Sequence, residues 1–188
     1  MDIKKLEEAG RLILEAIGED PLREGLVETP GRFASMMAEQ MAYTEKSNED
    51  IAKEFDKTFV SPGSDVVIVK DISLFSHCEH HLALMYHMTA SIGYIPKGRV
   101  IGLSKVARIA EAVSKRLQIQ ERIGSDIRDI MERITGAEDI IVYIEGEHSC
   151  MTARGIKKPG SVTQTLSSSG RYRTDPVLRQ EFLQTIGL

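Results

Sequence analysis

Apolar residues recur at helical spacing at Ile3, Leu6, Ile13, Ala16 and Ile17, which predicts an amphipathic helix over residues 3–17. Asp20-Pro21 and Thr29-Pro30 each set a capping residue before a proline, the pattern of a helix start. The second helix is expected to run to about Tyr43 with Phe33, Met36, Met37 and Met41 inward, and a short helix follows around residues 49–55. Ser61-Pro62-Gly63-Ser64 ends this helical stretch. The pattern then changes. Val66-Val67-Ile68-Val69 is a β-branched run that predicts a buried strand, and residues 84–95 predict a second, ended by Pro96-Lys97-Gly98. Ser104 is the expected cap of a helix carrying Val106, Ile109, Ala110 and Val113. Ile123, Ile127, Ile130, Met131 and Ile134 define the next helix, from about Gln120 to a stop at Gly136. Residues 140–147 read as a third strand, residues 161–166 as a weaker fourth, and Asp175-Pro176 as the start of a short last helix.

Strand pairs bracketing a helix pair, ββααββ, imply an α+β domain with an antiparallel sheet and helices on one face. The expected division is an N-terminal helical region, residues 1–64, and a second domain, residues 65–188. Four strands cannot close a barrel alone, so the open edges must be covered, and oligomerisation through them is the natural expectation.

Composition narrows the function classes. The chain has 188 residues, 41% of them hydrophobic and 28% charged, enough for a packed core and against global disorder. Lys plus Arg is 24 against 28 Asp plus Glu, a net charge of −4. That balance speaks against a general binder of nucleic acid or membrane surfaces. No apolar run approaches the roughly 20 residues of a membrane span. The charged start MDIKKLEEAG lacks the apolar stretch of a secretory signal, so the chain reads as cytoplasmic.

Both cysteines have histidine company. His77, His80, His81 and His87 surround Cys78, and His148 stands just before Cys150. In a reducing compartment this pattern favours metal or catalysis over a disulfide. Cys78 and His81 have the Cys-x-x-His spacing that lets one turn present a thiolate and an imidazole to one ion. Cys150, brought in by the fold, would be a third ligand. Three protein ligands leave a fourth position for water, the arrangement of a catalytic zinc site. His80 and His148 then stand beside ligands, placed for proton transfer near neutral pH. On spacing alone, a closed structural site with His80 or His148 as fourth ligand stays open. So does a metal-free reading in which the cysteines are small apolar residues. His77 and His87 read as surface or strand positions.

A second cluster is Gly102-Leu103-Ser104-Lys105 with Arg108: a helix start, a hydroxyl and two cations one turn apart, which suits a phosphate. The alternative is an ordinary capped helix with solvated basic residues. Arg154 supplies a further guanidinium for phosphate oxygens. Gln120-Glu121 opens a helix, where capping is one reading and pairing with the N1–H and amine edge of a guanine is another.

Cys78-Glu79-His80-His81, Gly102-Leu103-Ser104-Lys105, Gln120-Glu121-Arg122 and His148-Ser149-Cys150-Met151 with Arg154-Gly155 together closely resemble the type I GTP cyclohydrolase family, as does Thr29-Pro30-x-Arg32. The resemblance spans essentially the whole chain. It implies a tunnelling fold whose ββααββ units join edge to edge, two pentamers stacking into an allosteric homodecamer with sites between subunits. It implies zinc on Cys78, His81 and Cys150, and proton transfer by His80 and His148. Gln120 and Glu121 would hold the guanine edge, Ser104 would lie by the ribose, and Lys105, Arg108 and Arg154 by the triphosphate. The implied reaction converts GTP and water to 7,8-dihydroneopterin triphosphate and formate, the first step of pterin and folate synthesis. Water activated at the zinc attacks guanine C8; ring opening, ribose rearrangement and ring closure follow. His148 is the candidate donor to N7 and Ser104 the group for the ribose step.

Two rivals stand beside this reading, the first from another class. One is a non-catalytic zinc-binding oligomer or nucleotide-binding regulator. The other is a related tunnelling-fold enzyme that reduces or remodels a pterin-like base, which needs a nicotinamide site and a cysteine free of metal. The chain departs from the family pattern at 82–88, which lacks the usual proline-containing turn, at His77, and at Gly124-Ser125-Asp126.

Overall fold

Asp2 starts the first helix, α1 (Ile3–Ala16), by accepting from the Lys5 backbone N–H at 3.1 Å. The computed structural model describes residues 1–188 and divides into two units, Met1–Ala42 and Tyr43–Leu188. In the first, α1 packs on α2 (Thr29–Gln40), which carries Pro30 in its first turn. The pair closes on Gly10, Leu14, Ala34 and Met41, all buried. A Cβ on Gly10 would stand 3.2 Å from both Phe33 and Pro30, so glycine permits the close approach. Met36, expected inward, is 43% exposed because Ala34, Met37 and Met41 occupy the helical stripe instead. Asp20-Pro21 starts no helix: the Asp20 carboxylate accepts from the Leu22 N–H at 2.9 Å, an Asx-turn, and turns carry the chain onward.

The second unit begins with α3 (Asn48–Glu54), opened by a Ser47/Asp50 capping box. There follow β1 (Thr58–Val60), β2 (Val67–Cys78), β3 (Ala83–Tyr94), β4 (Arg99–Ile101) and α4 (Leu103–Ser114). Next come β5 (Leu117–Gln118), α5 (Gln120–Thr135), β6 (Ile140–His148) and the one-turn α6 (Ser149–Thr152). β7 (Val162–Ser168), α7 (Arg171–Thr174) and α8 (Pro176–Ile186) complete the chain. The main sheet has the order β5-β2-β3-β6-β7, antiparallel throughout except where β5 joins β2 in parallel, and β1 pairs with β4 apart from it. The α+β class and the ββααββ order are as expected. The boundary expected at 64/65 falls inside this unit, because α3 gives Ile51, Ala52 and Phe55 to the same core as the sheet.

β2 runs well past the four residues expected. The chain crosses Lys70-Asp71 as a bulge, with Asp71 at φ 59°, and resumes pairing at Ile72. Ser104 does not cap α4; Gly102 occupies that position and Ser104 lies inside the first turn. Gly136, left-handed at φ 68°, closes α5 as expected. α4 and α5 bury Val106, Ile109, Val113, Ile123, Ile127, Ile130 and Met131 with Ile140, Val142 and Ile144 of β6. The alternate residues of β6, Ile141 and Tyr143, meet Tyr172 and Phe182 from α7 and α8 on the opposite face. Helices thus cover both faces at β6. No helix is long and apolar enough to cross a membrane.

Gly170, the cap of α7, sits at φ 53° and ψ −134°, a conformation L side chains rarely adopt. A Cβ there would lie 2.7 Å from the Glu138 carbonyl oxygen and closer still to the Asp139 carboxylate. Gly170→Ala is therefore expected to cost about 3 kcal/mol, backbone strain and overpacking each contributing ~1–3 kcal/mol. Chemical denaturation measures it; a loss below about 0.5 kcal/mol, the scatter of ordinary surface changes, contradicts it.

Candidate metal centre

β2 delivers Cys78 as its last residue, 5% exposed, against the core. The chain then turns, the His81 N–H donating to the Cys78 carbonyl at 3.4 Å and Leu82 at φ 50°, so Cys78 and His81 face one side of one turn. Cys150 arrives by a different route. β3 pairs antiparallel with β6 so that Met85 opposes His148, and α6 begins at the next residue. The Ser149 hydroxyl donates to the Leu84 carbonyl at 2.7 Å and pins that turn to β3. Cys78 Sγ, a His81 ring nitrogen and Cys150 Sγ lie within 4.8 Å of one another. Two thiols and an imidazole at that spacing fit a tetrahedral ion that takes sulfur and nitrogen. Both thiols are free of disulfides. Burial first, then the neighbouring Cys78 sulfur, pushes the Cys150 thiol above its ordinary range, while the charge of Arg154 works against them.

Two histidines flank this donor set. His80 Nδ1 is 3.6 Å from Cys78 Sγ. His148 Nε2 is 2.7 Å from Gln120 Oε1. Gln120 is 1% exposed, and its Nε2 donates to the Ile144 carbonyl at 3.1 Å and the Thr163 carbonyl at 2.9 Å. Carbonyls only accept, so the amide orientation is fixed with Oε1 toward the imidazole. His148 must then donate from Nε2, leaving Nδ1 as the ring atom with a free lone pair. Burial lowers the His148 pKa below the usual histidine value, with Glu121 pulling the other way. The Gln120 side chain, expected at a guanine edge, thus also contacts His148 within the protein.

The other expected site residues are spread. Glu121, exposed in the first turn of α5, lines a cavity of about 490 Å³ with Gly124, Arg128, Ser167, Arg173 and Arg179. Lys105 Nζ donates to the Phe55 carbonyl at 3.4 Å. Arg108 lines a cleft with Tyr43, Glu54 and Glu111. Ser104 is exposed on the first turn of α4, and Arg154 is exposed just past α6. Within one chain, Ser104, Lys105 and Arg108 make no hydrogen bond or ion pair with the Cys–His cluster. His77 is buried in β2, and His87 sits in a β3 bulge at φ 48° with Nδ1 3.0 Å from Glu147 Oε1. Both stand outside the donor set, as expected.

Sequence reasoning missed one pair. Arg122, on α5, forms an ion pair with Glu79 inside the Cys78–His81 turn, with the partners 43 residues apart. No spacing rule connects them.

Comparison with known proteins gives a consistent result. A family model described as GTP cyclohydrolase I matches residues 6–187. The chain is 56% identical over 183 residues to the GTP cyclohydrolase 1 of Clostridium acetobutylicum, covering 95% of this chain and 94% of that one. It is 53% identical over 189 residues to that of Clostridium botulinum strain Kyoto, covering 97% and 96%, and 50% identical to that of Clostridium beijerinckii over the same length. A solved structure of the archaeosine synthase QueF-Like in the apo form is similar over 58% of this chain and 96% of its own, at TM-score 0.45 and 15% identity.

Proposed function

The chain belongs to the GTP cyclohydrolase I family, and on that premise we propose that it hydrolyses GTP to 7,8-dihydroneopterin triphosphate and formate. The observation that carries this reading is the meeting of Cys78, His81 and Cys150 within 4.8 Å, from two separate parts of the chain. Those three residues would hold a zinc ion, whose chemistry when bound would be to make water nucleophilic at neutral pH.

The chain's own residues do the rest. C8 of guanine is a poor electrophile, so the base must gain a proton at N7 before water adds. His148 is the donor, from Nδ1, since Nε2–H is committed to Gln120. Burial disfavours the charged form of that imidazole, with Glu121 opposing. The arriving polyphosphate, a concentrated negative charge, draws a proton onto it at the moment one is needed. His80, beside Cys78, moves protons next to the metal. Glu121 takes the N1–H and amine edge of the base, and Gln120 serves the base through His148. Lys105, Arg108 and Arg154 hold the triphosphate, and Ser104 assists the ribose rearrangement.

Complete sites lie between subunits of a decamer of two pentamers. Two features support this: Lys105 donates to the Phe55 carbonyl and Arg108 lines a cleft with Glu54 and Glu111, neither bonded to the donor cluster of its own chain, and the sheet ends in an open edge at β7. The acidic balance of −4 fits a small-molecule substrate better than nucleic acid, with local cations serving one triphosphate.

Incubating purified protein with GTP and zinc should yield formate together with a pterin that fluoresces after oxidation. Intact GTP in the presence of stoichiometrically bound metal overturns the proposal and leaves a metal-binding protein of another kind.

A further inference from the structure

Resting on the metal reading above, we propose that Arg122 is a positioning residue that holds the Cys78–His81 turn in the shape required for metal binding. Two links attach that turn to the start of α5. The first is main-chain: Cys78 pairs in parallel with Gln118, and the Glu79 N–H donates to the Gln118 carbonyl at 3.0 Å. The second is the Arg122 fork. Its Nε donates to Gln118 Oε1 at 2.7 Å, and its Nη2 pairs with the Glu79 carboxylate. The turn itself is the loop of the β2–β3 hairpin, closed at its base by the pairing of Cys78 with Ala83 and within by the long His81-to-Cys78 bond, and His81 itself is exposed.

Arg122 is firmly rooted. Gln118, 1% exposed, donates from Nε2 to Asp126 Oδ2 at 3.1 Å and to the Val113 carbonyl at 3.2 Å. Asp126 is in turn held by Arg116 Nη1 at 3.3 Å and by Asn48 Nδ2 at 3.1 Å, and Arg116 donates to the Lys46 carbonyl at 2.8 Å. A continuous run of polar contacts therefore leads from the start of α3, through the interior, to the residue between two of the expected metal-site side chains. Asp126 is the branch point of that run.

The Glu79 arm of the fork is expected to matter for metal more than for folding. Arg122 and Glu79 are 41% and 36% exposed, and an ion pair so placed contributes little to stability. Groups that orient metal ligands behave differently: losing one typically weakens metal affinity about 10–100-fold. Rigid orientation of Cys78 and His81 before the ion arrives is what the Arg122 fork supplies. A lysine keeps the charge opposite Glu79 but cannot also span to Gln118.

The test is chelator competition for Zn²⁺, with the thiolate charge-transfer band of the Co²⁺ form as a second readout and thermal unfolding of metal-free protein as control. Arg122→Ala should release zinc about 10–100-fold more readily, with a modest drop in metal-free Tm because the buried Gln118 Oε1 loses its donor, and Arg122→Lys should fall between in zinc release. Wild-type affinity in Arg122→Ala overturns the proposal. Should that variant fail to fold, Glu79→Gln, which leaves the Arg122–Gln118 bond in place, must weaken zinc in the same direction; wild-type affinity there overturns it equally. A wild-type protein that binds no zinc sinks the metal reading itself and this proposal with it.

Discussion

Cys150→Ala loses zinc and turnover together. Cys150 is one of only three donors that approach one another within 4.8 Å, and neither flanking histidine belongs to that set. His148 is occupied by Gln120 and cannot swing in without abandoning a buried amide. A Lewis-acidic metal supplies several kcal/mol of transition-state stabilisation, so turnover should fall by about 10³-fold or more. Metal analysis of the purified variant and a GTP turnover assay check the two losses separately; full zinc content in Cys150→Ala contradicts the assignment. Folding should survive, because Cys150 is only half-buried on a one-turn helix. The same thiol sets a pH dependence. Its raised pKa keeps a proton on sulfur near neutrality, and that proton must leave when metal binds. Zinc affinity should therefore rise with pH and be lost on acidification.

His148→Ala should separate what Cys150→Ala joins. The variant keeps zinc at stoichiometry and loses about 10²–10⁴ in turnover, the usual contribution of a positioned general acid. Gln120→Ala should give a smaller loss, because the imidazole remains but its tautomer and orientation are no longer fixed. Zinc content and kcat are the deciding measurements. Loss of zinc from His148→Ala would make that histidine a fourth ligand and the site a closed, structural one.

Much of this was legible in the residues, and the failures have a common cause. The Cys-x-x-His turn, the α4 and α5 stripes, the Gly136 stop and the strand at β6 are all local patterns, and all took the expected form. Long-range events were not readable. β2 looked short because Lys70-Asp71 interrupts its β-branched run, and only pairing with β3 carries the strand across that bulge. β5 has two residues and no periodicity of its own. α7 and α8 cover the far side of β6 through single aromatic residues, Tyr172 and Phe182, which make no recognisable stripe. Ser104 is a better capping residue than Gly102 by type, yet the backbone turned one step earlier. Gln120 was singled out for its chemistry, but its buried commitment to His148 depends on β7 reaching across to its amide.

The antiparallel pairing of β3 with β6 also sets an order of events as the chain folds. The two thiols meet only after α4 and α5 have been laid down between their strands and the sheet has closed over them. Loop closure of that length is slow and its entropy must be recovered by the core rather than by the ion. Metal therefore cannot nucleate this fold as it does a zinc finger. A metal ion bound here would enter a finished sheet, so a chelator should empty the site while leaving the sheet's most protected amides unexchanged.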